Sequence, residues 1–287
     1  MDLNLAIQYA QLVNAAYAVP VNDLGNKAGQ INNAGIGGAA TAYTVINSIY
    51  ANDLATDINP LRAKAQVSIG LIFQAPATGE AVIAIRGTEG IKEWIQDAKF
   101  LLKPCTLVAG AGNTEDGFTD VYKSMAIGTA AGSASVTTAL ATLPWAAPVT
   151  SLTICGHSLG GALATLLALD IAGNAAAPFN NPAAYTYASP RTGDAQFVNT
   201  YNHLVPNSTR IANRVDLVPK LPMPPLYEHV AGFYELSSVR FLPLPPKVLV
   251  NPDPVCSHIL TTYLYLMSVA AGGAILPLDA ACKPAAL

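Results

Sequence analysis

The chain has 287 residues and a formal net charge of −3, with acidic and basic residues dispersed along its length. This balance argues against a protein that binds nucleic acid and provides no polybasic patch for a membrane surface. Only 11% of the residues are charged, and the mean hydropathy is +0.35. The chain therefore has either a large alanine-rich core or an apolar surface that contacts something such as a lipid.

No linker, internal repeat or low-complexity tail interrupts the sequence, so we expect a single domain over residues 1–287. The most apolar stretch, residues 259–278, contains polar residues and two adjacent glycines. It predicts a buried C-terminal helix that ends at those glycines, and no transmembrane anchor. The N-terminus lacks the basic residues and uninterrupted apolar run of a signal peptide, so we expect a cytoplasmic protein or one numbered after a removed leader.

Hydrophobic periodicity predicts strands that alternate with helices. An amphipathic helix over residues 2–18 comes first and can be capped by Asp2, and a loop rich in Gly and Asn follows at residues 21–40. Further helical patterns cover residues 119–143 and 159–173. Strands are predicted at residues 43–51, 68–75, 81–87, 151–156, 183–189, 209–213 and 229–237. This order predicts an α/β fold in which helices cover both faces of a mixed, mostly parallel sheet.

The four cysteines are too widely spaced for a metal-ligand motif, so no metal site is expected. Cys155 lies in a predicted strand and is expected to be a free thiol in the core. Cys256 and Cys282 could form a disulfide across the C-terminal helix, and the sequence alone leaves that pairing open.

The segment around Ser158 carries the clearest signature of catalysis. It contains the pattern Gly-x-Ser-x-Gly between an apolar strand and a long apolar helix, which is the context that a nucleophilic serine requires. Gly156 and Gly160 would let the strand and helix backbones pass closely at a tight turn. The amide of Leu159, at the helix N-terminus, would point at an oxyanion forming beside Ser158. The alternative is a Gly-rich connection with a buried serine.

A nucleophilic serine needs a base and an orienting carboxylate. His258 follows a loop and opens the last helix, so it can lean over the C-terminal edge of the sheet, and we favour it as the base. His203 in a polar loop and His229 at the start of a strand are the alternatives. Asp216 lies just past a predicted strand and is the favoured carboxylate, with Asp253 as the runner-up.

Two segments upstream could complete the site. The strand over residues 81–85 ends in Arg-Gly-Thr, and Thr88 with Leu159 would supply two oxyanion donors. A simple turn after an edge strand fits that sequence equally well. Residues 89–103 then show helical spacing with Ile91, Trp94 and Ile95 on one face. They form either a surface helix or a lid that covers the site in water and turns its apolar face onto lipid.

Several motifs occur together and in a fixed order over most of the chain. They are Ile85-Arg-Gly-Thr88, Trp94-Ile-Gln-Asp97, Gly117-Phe118 with Tyr122, Gly156-His-Ser-Leu-Gly-Gly161, Tyr187-Ala-Ser-Pro-Arg191, Asn213-Arg-Val-Asp-Leu-Val-Pro-Lys-Leu-Pro222, and Ser257-His258 with Tyr263. In this order they resemble the motifs of class 3 lipases, the fungal-lipase-like branch of the α/β-hydrolases.

The resemblance implies an α/β-hydrolase fold with a helical lid over residues 89–103, and a secreted protein. It implies that the catalytic residues are Ser158, Asp216 and His258, that the oxyanion donors are Thr88 and Leu159, and that His229 is structural. Three features depart from the family. Members often have a histidine just before the Gly-Phe pair, where this chain has Glu115-Asp116. The fungal disulfide set cannot be matched, and residues 21–40 look like an insertion.

The predicted function is a two-step acyl transfer on a lipid or other ester, with transient contact to a lipid interface and no metal or organic cofactor. Triacylglycerol lipase is the favoured activity, because the predicted lid has an apolar face. A carboxylesterase or feruloyl esterase on the same scaffold is the alternative. A non-catalytic, lipase-like scaffold that binds a partner is a more distant alternative.

Overall fold

A nine-stranded mixed sheet forms the centre of the described part of the protein. The computed structural model describes residues 1–25, 27, 43–52, 65–88, 100–127, 134–240 and 247–284. The described strands are β1 (Thr44–Asn52), β2 (Gln66–Ala75), β3 (Glu80–Ile85), β4 (Leu102–Pro104), β5 (Asn113–Glu115), β6 (Ala126–Ile127), β7 (Ala134–Ser135), β8 (Ser151–His157), β9 (Ala183–Tyr187), β10 (Ser208–Asn213), β11 (Phe233–Leu236), β12 (Val239–Arg240) and β13 (Lys247–Val248). The described helices are α1 (Leu3–Tyr17), α2 (Asp116–Lys123), α3 (Val136–Ala139), α4 (Leu159–Asn174), α5 (Ala195–Leu204), α6 (Pro254–His258) and α7 (Leu260–Ala271).

The strand order is β11-β10-β9-β8-β3-β2-β1-β6-β7. The neighbouring pairs β3-β8, β8-β9, β9-β10 and β10-β11 are parallel. The pairs β3-β2, β2-β1, β1-β6 and β6-β7 are antiparallel. The carboxyl ends of β3, β8, β9 and β10 therefore lie along one edge, where α/β sheets place functional groups. The predicted mixed sheet is confirmed.

Apolar side chains fill both faces of this sheet. Successive residues of a strand point to opposite faces: Ile83 and Ile85 join the core around α4, and Val82 and Ala84 join the core formed by α1 and α7. Helix α4 is buried over nearly its whole length and is apolar all round, as expected for a helix inside the core. Helix α1 lies on the other face of the sheet, and Asp2 caps its N-terminus as predicted.

Three predicted elements are wrong. Residues 119–143 do not form one helix, because α2 ends at Lys123 and β6 pairs with β1. Pairing with a strand that is distant in sequence overrides the helix propensity of this alanine-rich segment. His203, expected in a polar loop, lies on α5, which Asp194 caps. The strand expected to start at His229 begins at Phe233.

The C-terminal segment matches its prediction. Helix α7 ends at Ala271 and is capped by Gly272, which has the left-handed conformation that suits glycine. Within the described ranges, no helix is long and apolar enough to cross a membrane. Cys155 is a buried free thiol, as expected, and the open question about the other pair is resolved by a disulfide between Cys256 and Cys282.

This disulfide ties α6 to the turn beyond α7, across a sequence separation of 26 residues. A cross-link of that length is expected to stabilise the native state by about 3.5 kcal/mol, chiefly by restricting the unfolded chain. We expect Cys256→Ser combined with Cys282→Ser to lower the free energy of unfolding by this amount, as measured by urea denaturation. Equal stability of the variant and the oxidised wild type would contradict this prediction.

Candidate active site

Ser158 occupies a strained turn between β8 and α4. Its backbone has φ 58° and ψ −128°, a conformation that costs a non-glycine residue about 1–3 kcal/mol. The N–H of Ser158 donates to the carbonyl of Tyr187 at 2.9 Å and fixes the turn. A Cβ on Gly156 would lie 2.0 Å from the Gly160 carbonyl oxygen, and one on Gly160 would lie 2.3 Å from that of Ile85. The two glycines are therefore required by close backbone contact, as the sequence indicated.

The structure brings Ser158, His258 and Asp216 together. Nε2 of His258 is 2.8 Å from Oγ of Ser158, and Nδ1 of His258 is 2.9 Å from Oδ2 of Asp216. All three residues are buried, with 1%, 4% and 1% of their surface exposed in the order Ser158, His258, Asp216. This is the hydrogen-bond geometry that lets an imidazole take the proton of a serine hydroxyl.

The alternative candidates have other contacts. The carboxylate of Asp253 caps α6 by accepting the N–H groups of Val255 and Cys256. His203 is exposed on α5. Nε2 of His229 donates to the carbonyl of Pro219 at 2.6 Å. None of these side chains has a described contact with Ser158.

Tyr263 and a backbone amide orient the Asp216 carboxylate. The Tyr263 hydroxyl donates to Oδ2 at 2.7 Å, and the N–H of Val218 donates to Oδ1 at 3.0 Å. The same hydroxyl accepts the N–H of Asn213 at 2.9 Å. Burial, together with the charge of Asp216, raises the pKa of Tyr263 well above its ordinary value, so the phenol remains a donor. Sequence reasoning matched Tyr263 to a family motif but assigned it no role.

His157 holds the backbone of His258. Its Nε2 donates to the His258 carbonyl at 2.8 Å, so its Nδ1 accepts from the Tyr17 hydroxyl, also at 2.8 Å. Burial lowers the pKa of His157 well below its ordinary value, and the proximity of His258 acts in the same direction. A neutral ring is consistent with one nitrogen donating and the other accepting. No residue near Tyr17 in the sequence signals this role.

The hydrogen bonds of the Tyr17 hydroxyl extend to the segment beside the predicted oxyanion donors. The Tyr17 hydroxyl accepts the N–H of Gly87 at 2.8 Å, and a Cβ on Gly87 would lie 2.8 Å from Cβ of Ser158. The half-buried Thr88 follows directly. Leu159 is the first residue of α4, so its N–H has no acceptor within that helix. Strand β3 lies between β2 and β8, so the alternative of a turn after an edge strand is wrong.

The predicted lid is only partly within the described residues. Ile91, Trp94 and Ile95 lie outside them. The C-terminal part of the predicted lid helix is wrong, because Leu102–Pro104 form β4 and pair with β5. Of the predicted insertion at residues 21–40, the described residues 21–25 and 27 contain turns and no helix or strand.

We expect the half-buried His229 to make the fold sensitive to acid. Burial, with smaller effects from the charges of Arg210 and Arg191, lowers the pKa of His229 to about 3. The unfolded chain binds a proton below about pH 6.5 whereas the folded chain does not, so stability falls as the pH drops from about 6.5 to 3. The loss has an upper limit on the order of 5 kcal/mol.

We expect His229→Gln, whose amide can still donate to Pro219, to reduce this slope in denaturation curves measured across that pH range. His157 contributes in the same direction and remains in the variant. The exposed His203, replaced by glutamine, gives the matched control for the loss of one histidine. A slope unchanged in His229→Gln would contradict the assignment.

Comparisons with known proteins agree with this geometry. The model of the family Lipase (class 3) matches residues 82–225. Secreted mono- and diacylglycerol lipase 1 of Fusarium solani is 32% identical over 186 residues, which cover 64% of this chain and 51% of that protein. Phospholipase A1-II 3 of Oryza sativa subsp. indica is 31% identical over 215 residues, which cover 66% of this chain and 49% of that protein. The chain thus spans about half the length of these curated relatives.

A solved structure extends the similarity. A mutant form of MDLA from Penicillium cyclopium superimposes with a TM-score of 0.54 and 25% sequence identity. The match covers 82% of this chain and 79% of that chain. The shared architecture therefore includes the regions before and after the stretch that the family model matches.

Proposed function

The chain belongs to the class 3 lipase family and has the α/β-hydrolase fold, and from this premise we propose that it is a serine ester hydrolase acting on lipid esters. The observation that carries the proposal is the hydrogen-bonded chain from Ser158 through His258 to Asp216 at a strained turn. A serine with only a structural role does not require a strained turn. It also does not require hydrogen bonding to a buried imidazole that is itself bonded to a buried carboxylate.

In the proposed reaction, Nε2 of His258 takes the proton of Ser158 while the hydroxyl oxygen attacks the ester carbonyl. Asp216 holds the imidazole in the required tautomer and stabilises its positive charge. The alcohol leaves with a proton from His258, and water then repeats the cycle on the acyl-enzyme. These steps use no metal or organic cofactor. Thr88 and Leu159 would donate to the oxyanion, and loss of one such donor typically costs about 10²–10³ in kcat.

The substrate class follows from the relatives and from the chain itself. The relatives are named as mono- and diacylglycerol lipases and as phospholipase A1, so an acylglycerol or a phospholipid fits better than a soluble feruloyl ester. We propose triacylglycerols within that class. We also propose that the protein is secreted, in line with the Fusarium solani relative's name and with a disulfide, a bond that is rare outside oxidising compartments. A lid in the part of residues 89–103 that precedes β4, and the single domain over residues 1–287, remain part of the proposal.

Burial of the site suggests how the substrate would gain access. Ser158 is 1% exposed, so a substrate reaches it only after part of the protein moves. If an apolar interface favours that movement, the rate of tributyrin hydrolysis should rise sharply above the solubility limit. The matching assay uses p-nitrophenyl esters of increasing acyl length, with tricaprylin and phosphatidylcholine emulsions in parallel. Hyperbolic kinetics through the solubility limit would instead favour a carboxylesterase on soluble esters.

A further inference from the structure

An apolar loop projects from the protein after the Asp216 segment. It consists of Met223, Pro224, Pro225 and Leu226, all of which are exposed. Met223 and Leu226 are each 66% exposed. The residues on either side, Pro222 and Tyr227, are buried. An exposed apolar loop between two buried anchors is not explained by the core or by the proposed chemistry.

Both ends of this apolar loop are attached to the carboxyl edge of the sheet. The guanidinium of Arg191 donates to the carbonyls of Lys220 and Pro222. At the other end, the N–H of Glu228 donates to the carbonyl of Gly193 at 2.9 Å. Residues 191–193 follow β9 at its carboxyl end, next to the strand exits that carry Ser158 and Asp216. The apolar loop therefore stands on the same side of the protein as the proposed catalytic residues.

Two further apolar side chains are exposed on this side. Leu217, next to Asp216 in sequence, is 46% exposed, and Leu101 is 55% exposed. The carbonyl of Leu101 accepts the N–H of Asp116, and the adjacent Glu115 donates its N–H to Thr192. These contacts connect Leu101 to the segment that anchors the apolar loop.

The absence of charge within the apolar loop favours a lipid surface over a protein partner. Lys220 is exposed at one end of the segment and Glu228 at the other, and no charged residue occurs between them. Exposed Met and Leu tips insert into the boundary between headgroups and acyl chains, while a nearby lysine pairs with anionic headgroups.

We propose that the apolar loop Met223–Leu226, with Lys220, is a docking element that seats the proposed active site on an anionic lipid surface. This inference rests on the proposed function, because it names the surface from which that site would draw its substrate. The docking element shares no residue with the predicted lid over residues 89–103.

Cosedimentation with lipid vesicles tests the proposal without requiring turnover. The probes are vesicles of phosphatidylcholine and of an equal mixture of phosphatidylcholine and phosphatidylglycerol. Met223→Ser combined with Leu226→Ser should weaken binding to both by about tenfold or more. Lys220→Gln should weaken binding to the mixed vesicles alone, by about fivefold. Thermal unfolding of each variant reports whether it is folded.

Ile275 provides the matched control. It is 65% exposed beyond the end of α7, and Ile275→Ser should bind vesicles as the wild type does. Equal weakening by this control, or undiminished binding of the Met223/Leu226 variant, would overturn the proposal. So would a wild-type dimer in solution that the double substitution converts to monomer, because a second copy would then occupy the loop.

Soluble p-nitrophenyl butyrate separates this proposal from the proposed function. Hydrolysis of that ester by a wild-type protein that fails to bind vesicles would refute the docking element alone. Loop-dependent vesicle binding by a protein that hydrolyses no ester would support the docking element and refute the hydrolase.

Discussion

Replacement of Ser158 by alanine is expected to lower kcat for ester hydrolysis by about 10⁶-fold. The substitution removes the oxygen that lies 2.8 Å from Nε2 of His258 and leaves the imidazole and carboxylate in place. Without that oxygen no acyl-enzyme forms, and only binding and oxyanion stabilisation remain. The measurement is single-substrate kinetics on p-nitrophenyl butyrate with protein purified free of host esterases.

A second buried serine provides the control for this prediction. Ser268 lies on α7, where its hydroxyl donates to the Tyr265 carbonyl and accepts the N–H of Leu276. Ser268→Ala should cost about 1 kcal/mol of stability and leave the proposed active-site hydrogen bonds intact. Turnover by Ser158→Ala within tenfold of the wild type, in a protein that unfolds cooperatively, is incompatible with Ser158 as the nucleophile.

Asp216→Asn is expected to lower kcat by about 10⁴-fold. Oδ2 of Asp216 accepts from both His258 and Tyr263, and an amide nitrogen at that position would donate instead. The ring would then present the wrong tautomer to Ser158, or would lose the hydrogen bond that orients it. Because the carboxylate acts only through His258, the double variant with Ser158→Ala should be no slower than Ser158→Ala alone.

Asp253→Asn distinguishes the two candidate carboxylates. Asp253 caps the helix that carries His258, so its loss should reduce stability by about 1 kcal/mol at most, because asparagine is also a good cap. The pH dependence of kcat/KM should change for Asp216→Asn and not for Asp253→Asn. The reverse pattern would assign the orienting role to Asp253.

The local part of the site could be predicted from the sequence because its constraints are local. The turn at Ser158 needs glycines at fixed offsets, a strand before it and a helix after it, and all of these are visible within about fifteen residues. The choice of Asp216 and His258 depended on their order in the chain and on the position of strand ends. Both are coarse signals, yet they limit the candidates to a few.

The supporting network could not be predicted in this way. Tyr17 contacts His157 across 140 residues and Gly87 across 70 residues. Each contact depends on how α1 packs against the face of the sheet opposite α4, and no residue near Tyr17 signals its partner. The hydroxyl of Tyr263 likewise reaches Asp216 only after α7 has docked.

Two of the wrong predictions have a common physical cause. Leu102–Pro104 and Ala126–Ile127 carry apolar spacing compatible with a helix, but each pairs with a strand formed elsewhere in the chain. Backbone hydrogen bonds to a distant strand decide the conformation, and periodicity within one window carries no information about them. The helix over residues 195–204 was missed because its polar side chains obscured an apolar face of three buried residues.

Active-site labelling with a fluorophosphonate tests the central claim most directly. The reagent phosphonylates only a serine whose hydroxyl is activated by a neighbouring base, and the adduct can be located by mass spectrometry of proteolytic peptides. We expect one adduct per chain on the peptide that contains Ser158, no adduct in Ser158→Ala, and slow labelling in Asp216→Asn. An adduct on another residue, or ester hydrolysis without any adduct, would contradict the account.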